Sequence, residues 1–188
     1  NGLSYVPDQV LMGNDEVIYL LSKKYQSIFR WDVAQRQYIS TIPLFDVPYA
    51  FAFVSSQNRI YVVYSSGNIQ QIRLDEDQLE TPFANLPTAP CGLATAGSIV
   101  FTCDNSGAWV THSTFSPNGE LLSQKDWNYF SKEYIWNEAR QKMYFFRDDT
   151  SPNDLLWEDI NTGGLIGEKK DSPYHSSTGI VHPIRVKE

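Results

Sequence analysis

The chain has 188 residues, of which 41% are hydrophobic and 14% aromatic, so it can bury a sizeable core and does not have the composition of a disordered protein. Its formal net charge of −7 argues against a nucleic-acid partner, because nucleic acids are bound by basic surfaces. No apolar run approaches the roughly 18 residues that a membrane-spanning helix needs, so no membrane insertion is expected.

The start of the chain carries no targeting signal. It has no initiator Met, no basic region and no apolar signal core, which is typical of a trimmed or processed product.

Four short apolar segments recur along the chain, each with an aliphatic residue followed directly by an aromatic one. They are 17–21, 60–64, 100–103 and 143–146. The equivalent aliphatic residues Ile18, Ile60, Val100 and Met143 follow one another at intervals of 42, 40 and 43 residues. Such a period is typical of β-propeller blades. A strand with apolar residues on both of its faces suits a position between neighbouring sheets.

Each recurring segment is flanked by three further predicted strands. The strand before it is predicted at 49–54, 91–94 and 134–136, the third strand at 26–33, 68–74, 108–115 and 154–160, and the fourth at 38–42, 79–83, 120–125 and 165–169. Turn sequences separate these strands, and no ten-residue amphipathic helix is evident. A sandwich or a closed barrel would not require this repeat, so the sequence predicts an all-β fold of propeller type.

The expected domain organisation is a single repeat array. Its units are 5–45, 46–87, 88–130 and 131–172, and 173–188 resembles the first strand of a fifth unit. We therefore expect about four four-stranded antiparallel blades forming an arc of a larger propeller. A closed four-bladed ring and a ring completed by another copy remain alternatives, because open blade edges could also support self-association.

The second unit carries a family resemblance. Its residues 60–64 (IYVVY) and 67–75 (GNIQQIRLD) resemble the bacterial YVTN/quinoprotein-like propellers, which are related to WD40 proteins. The resemblance implies a propeller fold for nearly the whole chain. It implies no particular activity, because such units occur in proteins of many functions.

Two cysteines suggest a disulfide. Cys91 and Cys103 are equally distant in sequence from Gly97, so a hairpin centred on this glycine would place them opposite each other, within disulfide reach. A disulfide would imply an oxidising compartment. The alternative is that both are small buried core residues.

Histidines and acidic loops could provide ligands for a metal. His175 and His182 would need a third metal ligand, for which Asp171 is the candidate, and surface histidines in a loop and a strand are the simpler interpretation. His112 alternates along a strand in a pattern that indicates packing. The acidic loop 147–154 could bind calcium but lacks the spacing of an EF-hand loop, so a solvated turn is the simpler interpretation. No metal site is predicted, and calcium is the one cofactor considered.

The loops that connect successive blades are the expected binding rim. In a propeller they gather at one mouth of the central channel, and here they are rich in aromatic residues and proline. The candidate ligand-binding residues are Asp46, Tyr49, Trp127, Tyr129, Tyr174 and His175. These aromatic residues could instead fill gaps between blades.

The leading functional hypothesis is a non-enzymatic binding or scaffold module for a protein or carbohydrate partner, in a secreted, periplasmic or cell-surface bacterial protein. Local catalytic motifs are missing from the sequence, and no catalytic residue is assigned. The alternative is part of a propeller enzyme (a lyase, hydrolase or quinone-dependent oxidoreductase) whose active site is shared with other blades. A calcium-stabilised adhesion module is a third hypothesis.

Overall fold

A computed structural model describes residues 4–13, 16–75, 79–127, 134–147, 154–160 and 164–169. These residues form seventeen β-strands and one short 3₁₀ turn, Ser55–Gln57. Because that turn is the one helical segment in the described ranges, none of them contains a helix able to span a membrane.

The strands form four separate antiparallel sheets, each built from strands that follow one another in the chain. The first sheet contains β1 (Gln9–Met12), β2 (Val17–Ser22), β3 (Ser27–Asp32), β4 (Gln37–Tyr38) and β5 (Ile42–Pro43). The second contains β6 (Pro48–Val54), β7 (Arg59–Tyr64), β8 (Asn68–Arg73) and β9 (Glu80–Asn85). The third contains β10 (Pro90–Ala96), β11 (Ile99–Asp104), β12 (Val110–Phe115) and β13 (Leu121–Trp127). The fourth contains β14 (Tyr134–Asn137), β15 (Lys142–Arg147), β16 (Asp154–Asp159) and β17 (Gly164–Lys169).

The sheets are arranged as the four blades of a β-propeller, so the predicted all-β fold is confirmed. Blade 1 differs from the expected pattern, because its fourth strand is split into β4 and β5, which both pair with β3. The resemblance of 173–188 to the first strand of a fifth unit concerns residues outside the described ranges.

The first strands of successive blades contact one another in the order β1, β6, β10, β14. Apolar clusters fill the spaces between blades, with one between blades 1 and 2, a second between blades 2 and 3, and two smaller ones at blades 3 and 4. Among the described residues, no packing of comparable extent joins β14 back to β1.

The turns between the first and second strands show why the repeat interval varies. In blades 1, 2 and 4, the residue before the second strand has a left-handed backbone, at Glu16 (φ 58°), Asn58 (φ 49°) and Gln141 (φ 52°). Blade 3 instead uses a two-residue turn in which Gly97 (φ 58°) supplies the positive φ. This shorter turn accounts for the 40-residue interval between Ile60 and Val100.

Side chains on the first strands also bond to the backbone of a neighbouring blade. The amide side chain of Gln9 bonds both backbone polar groups of Phe51, donating to its carbonyl and accepting from its N–H, each at 2.9 Å. The hydroxyl of Thr95 donates to the carbonyl of Phe53 at 3.0 Å. The two links run in opposite directions along the chain, since Gln9 bonds to the following blade and Thr95 to the preceding one.

Candidate functional site

One face of the propeller is built from two kinds of loop. Because neighbouring strands alternate in direction, the connections between blades lie on the same face as the turns between second and third strands. We call this the loop face, and its described parts are the connections 44–47 and 86–89 and the turns 23–26, 65–67 and 105–109.

Backbone hydrogen bonds fix the connections to the turns. The N–H of Leu44 donates to the carbonyl of Gln26 at 2.8 Å, and the N–H of Leu86 donates to the carbonyl of Gly67 at 2.9 Å. Gly67 has a φ of 90°, and a Cβ at this position would lie 2.7 Å from the carbonyl oxygen of Leu86. A residue with a side chain would therefore separate the turn from the connection.

A buried carboxylate organises the turn of blade 3. Oδ1 of Asp104 accepts hydrogen bonds from the N–H of Ser106 at 2.7 Å and from the hydroxyl of Thr88 at 3.3 Å. The Thr88 oxygen accepts from the N–H of Asn105 at 3.1 Å. The connection 86–89 and the turn 105–109 are thereby held together as a rigid unit.

The loop face presents apolar side chains to solvent beside charged ones. Phe45 is 56% exposed, Val47 is 40% exposed and Trp109 is 44% exposed. The Nζ atom of Lys23 lies 5.2 Å from the ring centroid of Tyr49, a cation–π contact. Apolar groups on firmly held loops, bordered by charges, are typical of a surface that binds another molecule.

The structure locates three of the six residues predicted for the binding rim. Asp46 lies in the connection 44–47, and its Oδ1 accepts from the N–H of Val47 at 2.6 Å. Tyr49 follows this connection, and its hydroxyl donates to the carbonyl of Cys91 at 3.3 Å, so it also joins blades 2 and 3. Trp127 ends β13 and pairs with Val110, which follows the turn 105–109.

The remaining three rim residues, Tyr129, Tyr174 and His175, lie outside the described residues. Their placement on the rim stays a prediction. Most of the acidic loop 147–154, considered for calcium, also lies outside the described residues. Within the described ranges, no three His, Cys, Asp or Glu side chains lie together as possible metal ligands.

A carboxyl–phenol pair of a half-buried glutamate and a buried tyrosine lies beside Phe45. The ring of Tyr64 lies 4.3 Å from that of Phe45, and the Tyr64 hydroxyl donates to Oε1 of Glu80. Oε2 of Glu80 is buried and has no hydrogen-bond partner among the described residues. Burial raises the pKa of Glu80, although the bond from Tyr64 partly opposes this shift. Burial, reinforced by Glu80, also raises the pKa of Tyr64.

A second polar cluster lies between blades 3 and 4. Nδ1 of His112 lies 2.9 Å from Oε2 of Glu158, and the Tyr134 hydroxyl lies 3.2 Å from Nε2 of the same imidazole. The side chains of His112 and Glu158 are only 2% and 1% exposed. An imidazole oriented by a carboxylate resembles a general base, but this one is enclosed between blades. It serves here as a polar contact between them.

The sequence identified His112 as a packing residue, and its burial against Phe101 and Phe145 agrees with this interpretation. The partners Glu158 and Tyr134 were missed. Glu158 lies 46 residues from His112, and no local pattern distinguishes it from a solvent-exposed strand glutamate.

The two cysteines form a disulfide in the structure, with sulfur atoms 2.13 Å apart and Cα atoms 5.2 Å apart. The predicted register was wrong in detail, because Gly92 pairs with Cys103 and Cys91 lies in a bulge beside it. A Cβ on Gly92 would lie 2.6 Å from the Tyr134 ring and 3.2 Å from Sγ of Cys103. The glycine thus allows the disulfide and the His112 cluster to lie side by side.

No protein-family model matches the sequence, and neither does any curated protein. Solved structures do match. One is the hydrazine synthase of Kuenenia stuttgartiensis, which is 12% identical with a TM-score of 0.72, and the match covers 87% of this chain and 48% of that one. Another is a chain from a nidogen/laminin complex, which is 14% identical with a TM-score of 0.65, and that match covers 81% and 60% of the two chains.

The present chain thus spans about half the length of the first of these structures and 60% of the second. Because 868 solved chains match, the fold alone does not assign an activity. Both structures named are β-propeller proteins, and the comparisons agree with the blade arrangement in assigning this chain to the β-propeller fold.

Proposed function

We propose that this chain is a non-catalytic binding module whose loop face holds a protein partner. The observation that carries the proposal is the exposure of Phe45, Val47 and Trp109 on loops that are fixed by hydrogen bonds. Aromatic anchors of this kind contribute much of the binding energy at protein interfaces. Loops held in place before binding lose little conformational entropy when a partner docks.

Charged side chains lie on the same face as these apolar groups. Lys23 and Lys24 lie on one turn of the loop face and Asp46 on the neighbouring connection, so both signs of charge are present. Charges at the edge of an apolar patch favour selectivity and rapid association more than affinity. A peptide or protein surface with an apolar centre and charged edges fits this arrangement.

The fold is compatible with this role. One structural neighbour was solved as a nidogen/laminin complex. The polar clusters that might suggest catalysis are Tyr64 with Glu80 and His112 with Glu158. Tyr64, His112 and Glu158 are buried, and Glu80 is half-buried. They support the scaffold that carries the loop face.

We further propose that the module works in an oxidising compartment, in a secreted, periplasmic or cell-surface protein of the bacterial YVTN/quinoprotein-like type. The Cys91–Cys103 disulfide supports the compartment, because such bonds persist mainly outside the cytosol. The apolar repeat around Ile60 supports the family. Thiol titration of the protein isolated from its native cell would contradict the compartment if both cysteines were free.

Panning a displayed random-peptide library on the folded chain tests the binding role. Selected peptides should lose at least about tenfold in affinity for a Phe45→Ala/Trp109→Ala variant, the loss expected for two interface anchors. A Leu79→Ala variant is the matched control, because Leu79 is 70% exposed but precedes β9 on the opposite face.

Two outcomes would contradict the protein-binding proposal. Selected peptides might bind the double variant as tightly as the parent chain, in which case the loop face is not the binding surface. A glycan array might instead yield a ligand that depends on Phe45 and Trp109 when no peptide does, and the partner would then be a carbohydrate.

A further inference from the structure

Two acidic side chains lie in one row across the sheet of blade 3, beside the turn 105–109. Asp104 on β11 pairs directly with Thr111 on β12, and Thr111 pairs with Asp126 on β13. Directly paired residues of antiparallel strands direct their side chains to the same face of the sheet, so these three side chains are neighbours. We call these three residues the acidic row.

The repeat itself does not require a carboxylate in this row. At the position of Asp104, four residues after the recurring aliphatic residue, blade 1 has Ser22 and blade 2 has Tyr64. Both are neutral, and their hydroxyl oxygens are bonded, that of Ser22 by the N–H of Tyr25 at 3.3 Å and that of Tyr64 to Glu80. Among the first three blades, the acidic residue is therefore particular to blade 3.

Asp104 is fully buried, yet only one of its carboxylate oxygens is bonded. Oδ1 accepts from the N–H of Ser106 and from the hydroxyl of Thr88, whereas Oδ2 is buried and has no hydrogen-bond partner among the described residues. An ionised carboxylate loses its hydration on burial, and in proteins a hydrogen bond, an opposite charge or a metal ion offsets this cost. Oδ2 therefore needs a partner that the described residues do not supply.

The turn brings two more oxygens to this row. Oδ2 of Asp126 accepts from the N–H of Ala108 at 3.0 Å, and Oδ1 lies against Gly107. A Cβ on Gly107 would lie 2.0 Å from Asp126 Oδ1 and 2.7 Å from Thr111 Oγ1. The two oxygens are therefore within about 5 Å of each other, as are oxygens that bind one calcium ion at about 2.3–2.6 Å. Glycine is the residue that allows the turn to come so close.

We propose that the acidic row is a calcium site, with Oδ2 of Asp104, Oδ1 of Asp126 and Oγ1 of Thr111 as ligands. Calcium takes oxygen ligands in flexible geometry, whereas magnesium demands a near-ideal octahedron. The two charges of the ion balance the two carboxylates, and carbonyl groups of the turn and water complete the coordination. Asp126 is exposed, so the ion reaches the site from solvent.

The ligand set also indicates how tightly the ion is held. The described residues supply two carboxylates and no third, so the affinity should be that of a weak extracellular calcium module, about 10⁻⁴–10⁻³ M. Bound calcium joins β11, β12 and β13 at one end of blade 3 and fixes the turn 105–109. The inference concerns the stability of this blade and does not depend on a partner at the loop face.

Thermal unfolding of the full chain tests the proposal, with the protein first freed of metal by a chelator and then titrated with calcium chloride to about 10 mM. A ligand that binds only the folded state raises Tm, so we expect Tm to rise with the calcium concentration. No rise would overturn the proposal, because a proton or a water molecule would then satisfy Oδ2 of Asp104. An equal rise with magnesium chloride would overturn it too, since that would be an effect of salt screening.

Substitutions in the acidic row test the location of the ion. Asp126→Asn retains an acceptor for the N–H of Ala108 and should lower calcium affinity at least about tenfold in calorimetric titration, since loss of even an indirect partner of a metal ion costs this much. Asp104→Asn should abolish the rise in Tm with calcium. Asp75→Asn is the matched control, because Asp75 is exposed on a turn of the opposite face, and it should respond like the parent chain.

Two results would contradict the assigned ligands. Calcium affinity equal to that of the parent chain in Asp126→Asn or Asp104→Asn would place the ion elsewhere. An equal loss of affinity in Asp75→Asn would show that the effect comes from net charge alone. If Asp104→Asn does not fold, Asp126→Asn decides the outcome, because its side chain lies at the surface.

Discussion

The interface between blades 1 and 2 and the one between blades 3 and 4 use the same positions for different chemistry. At the first, Ile28 on β3 and Ile72 on β8 belong to one apolar cluster. At the second, the equivalent positions on β12 and β16 hold His112 and Glu158, paired at 2.9 Å. The repeat therefore fixes where neighbouring blades meet, while the contact itself can be apolar or polar.

The two interfaces should contribute differently to the stability of the fold and to the alignment of the blades. Apolar contacts stabilise in proportion to the area that they bury and tolerate some sliding. A buried hydrogen bond between polar side chains gains little net free energy, because both groups lose their bonds to water, but leaving one partner buried and unsatisfied is costly. We therefore expect blades 1 and 2 to supply stability, and the polar contact to specify how blades 3 and 4 align.

The largest expected effect comes from removing an aromatic ring at the apolar interface. Phe51→Ala should lower the free energy of unfolding by about 3–5 kcal/mol, because Phe51 is fully buried and its loss leaves a cavity. Urea denaturation measures this loss. The control is Val10→Ala at the equivalent, half-exposed position of blade 1, which should cost far less. A similar loss at both positions would show that the interface is not the cause.

Breaking the contact between His112 and Glu158 should cost slightly less. Glu158→Ala leaves the His112 imidazole buried without its carboxylate, and we expect a loss of about 3 kcal/mol in urea denaturation. The double variant His112→Ile/Glu158→Ile gives this interface the chemistry of blades 1 and 2 and should recover most of the loss. A double variant as unstable as the single one would contradict the equivalence of the two interfaces.

The disulfide gives blade 3 a covalent support that the other described blades lack. Cys91 and Cys103 are 12 residues apart, so replacing both with Ala should lower stability by roughly 2–3 kcal/mol under oxidising conditions. The measurement is thermal unfolding with and without reductant. Reductant should lower the stability of the parent chain and leave the variant unchanged; equal responses would show that the disulfide does not contribute.

The smallest effect concerns the pH dependence set by Glu80. Its pKa is raised above the ordinary value of 4.5 in the folded chain, so the folded state binds its proton more tightly than the unfolded state does. Its contribution to stability should fall as the pH rises through 4.5 to the folded pKa. Glu80→Gln should remove this decline, measured by urea denaturation at several pH values. A decline of the same size in the variant would exclude Glu80 as its source.

The sequence predicted the blades because each second strand carries apolar residues on both faces, a pattern that is visible in the recurrence of the segments around Ile18, Ile60, Val100 and Met143. It could not predict the contacts between blades. The partners His112 and Glu158 lie on strands of different sheets, and their pairing depends on how those sheets dock. The bulge at Cys91 could not be predicted from the sequence either, because nothing in the sequence marks an extra residue in a strand that ends in a two-residue turn.

The loop face was predicted in outline but not in composition. Topology places the connection around Asp46 and Tyr49 at the mouth of the channel. The turn that carries Trp109 lies on the same face as this connection, because the turns between second and third strands are also on the loop face. Tyr64 and Glu80 give no sequence signal at all, since an acidic residue in an outer strand is ordinarily solvated.

The two hydrogen bonds between Gln9 and Phe51 have a consequence for behaviour at high concentration. The innermost strand of a blade has neighbours on one side only, so its other edge could pair with a strand from a different molecule and begin aggregation. The Gln9 amide occupies both the N–H and the carbonyl of Phe51, as a neighbouring strand would. One polar side chain thus blocks part of the edge from which blade 2 could otherwise recruit a foreign strand.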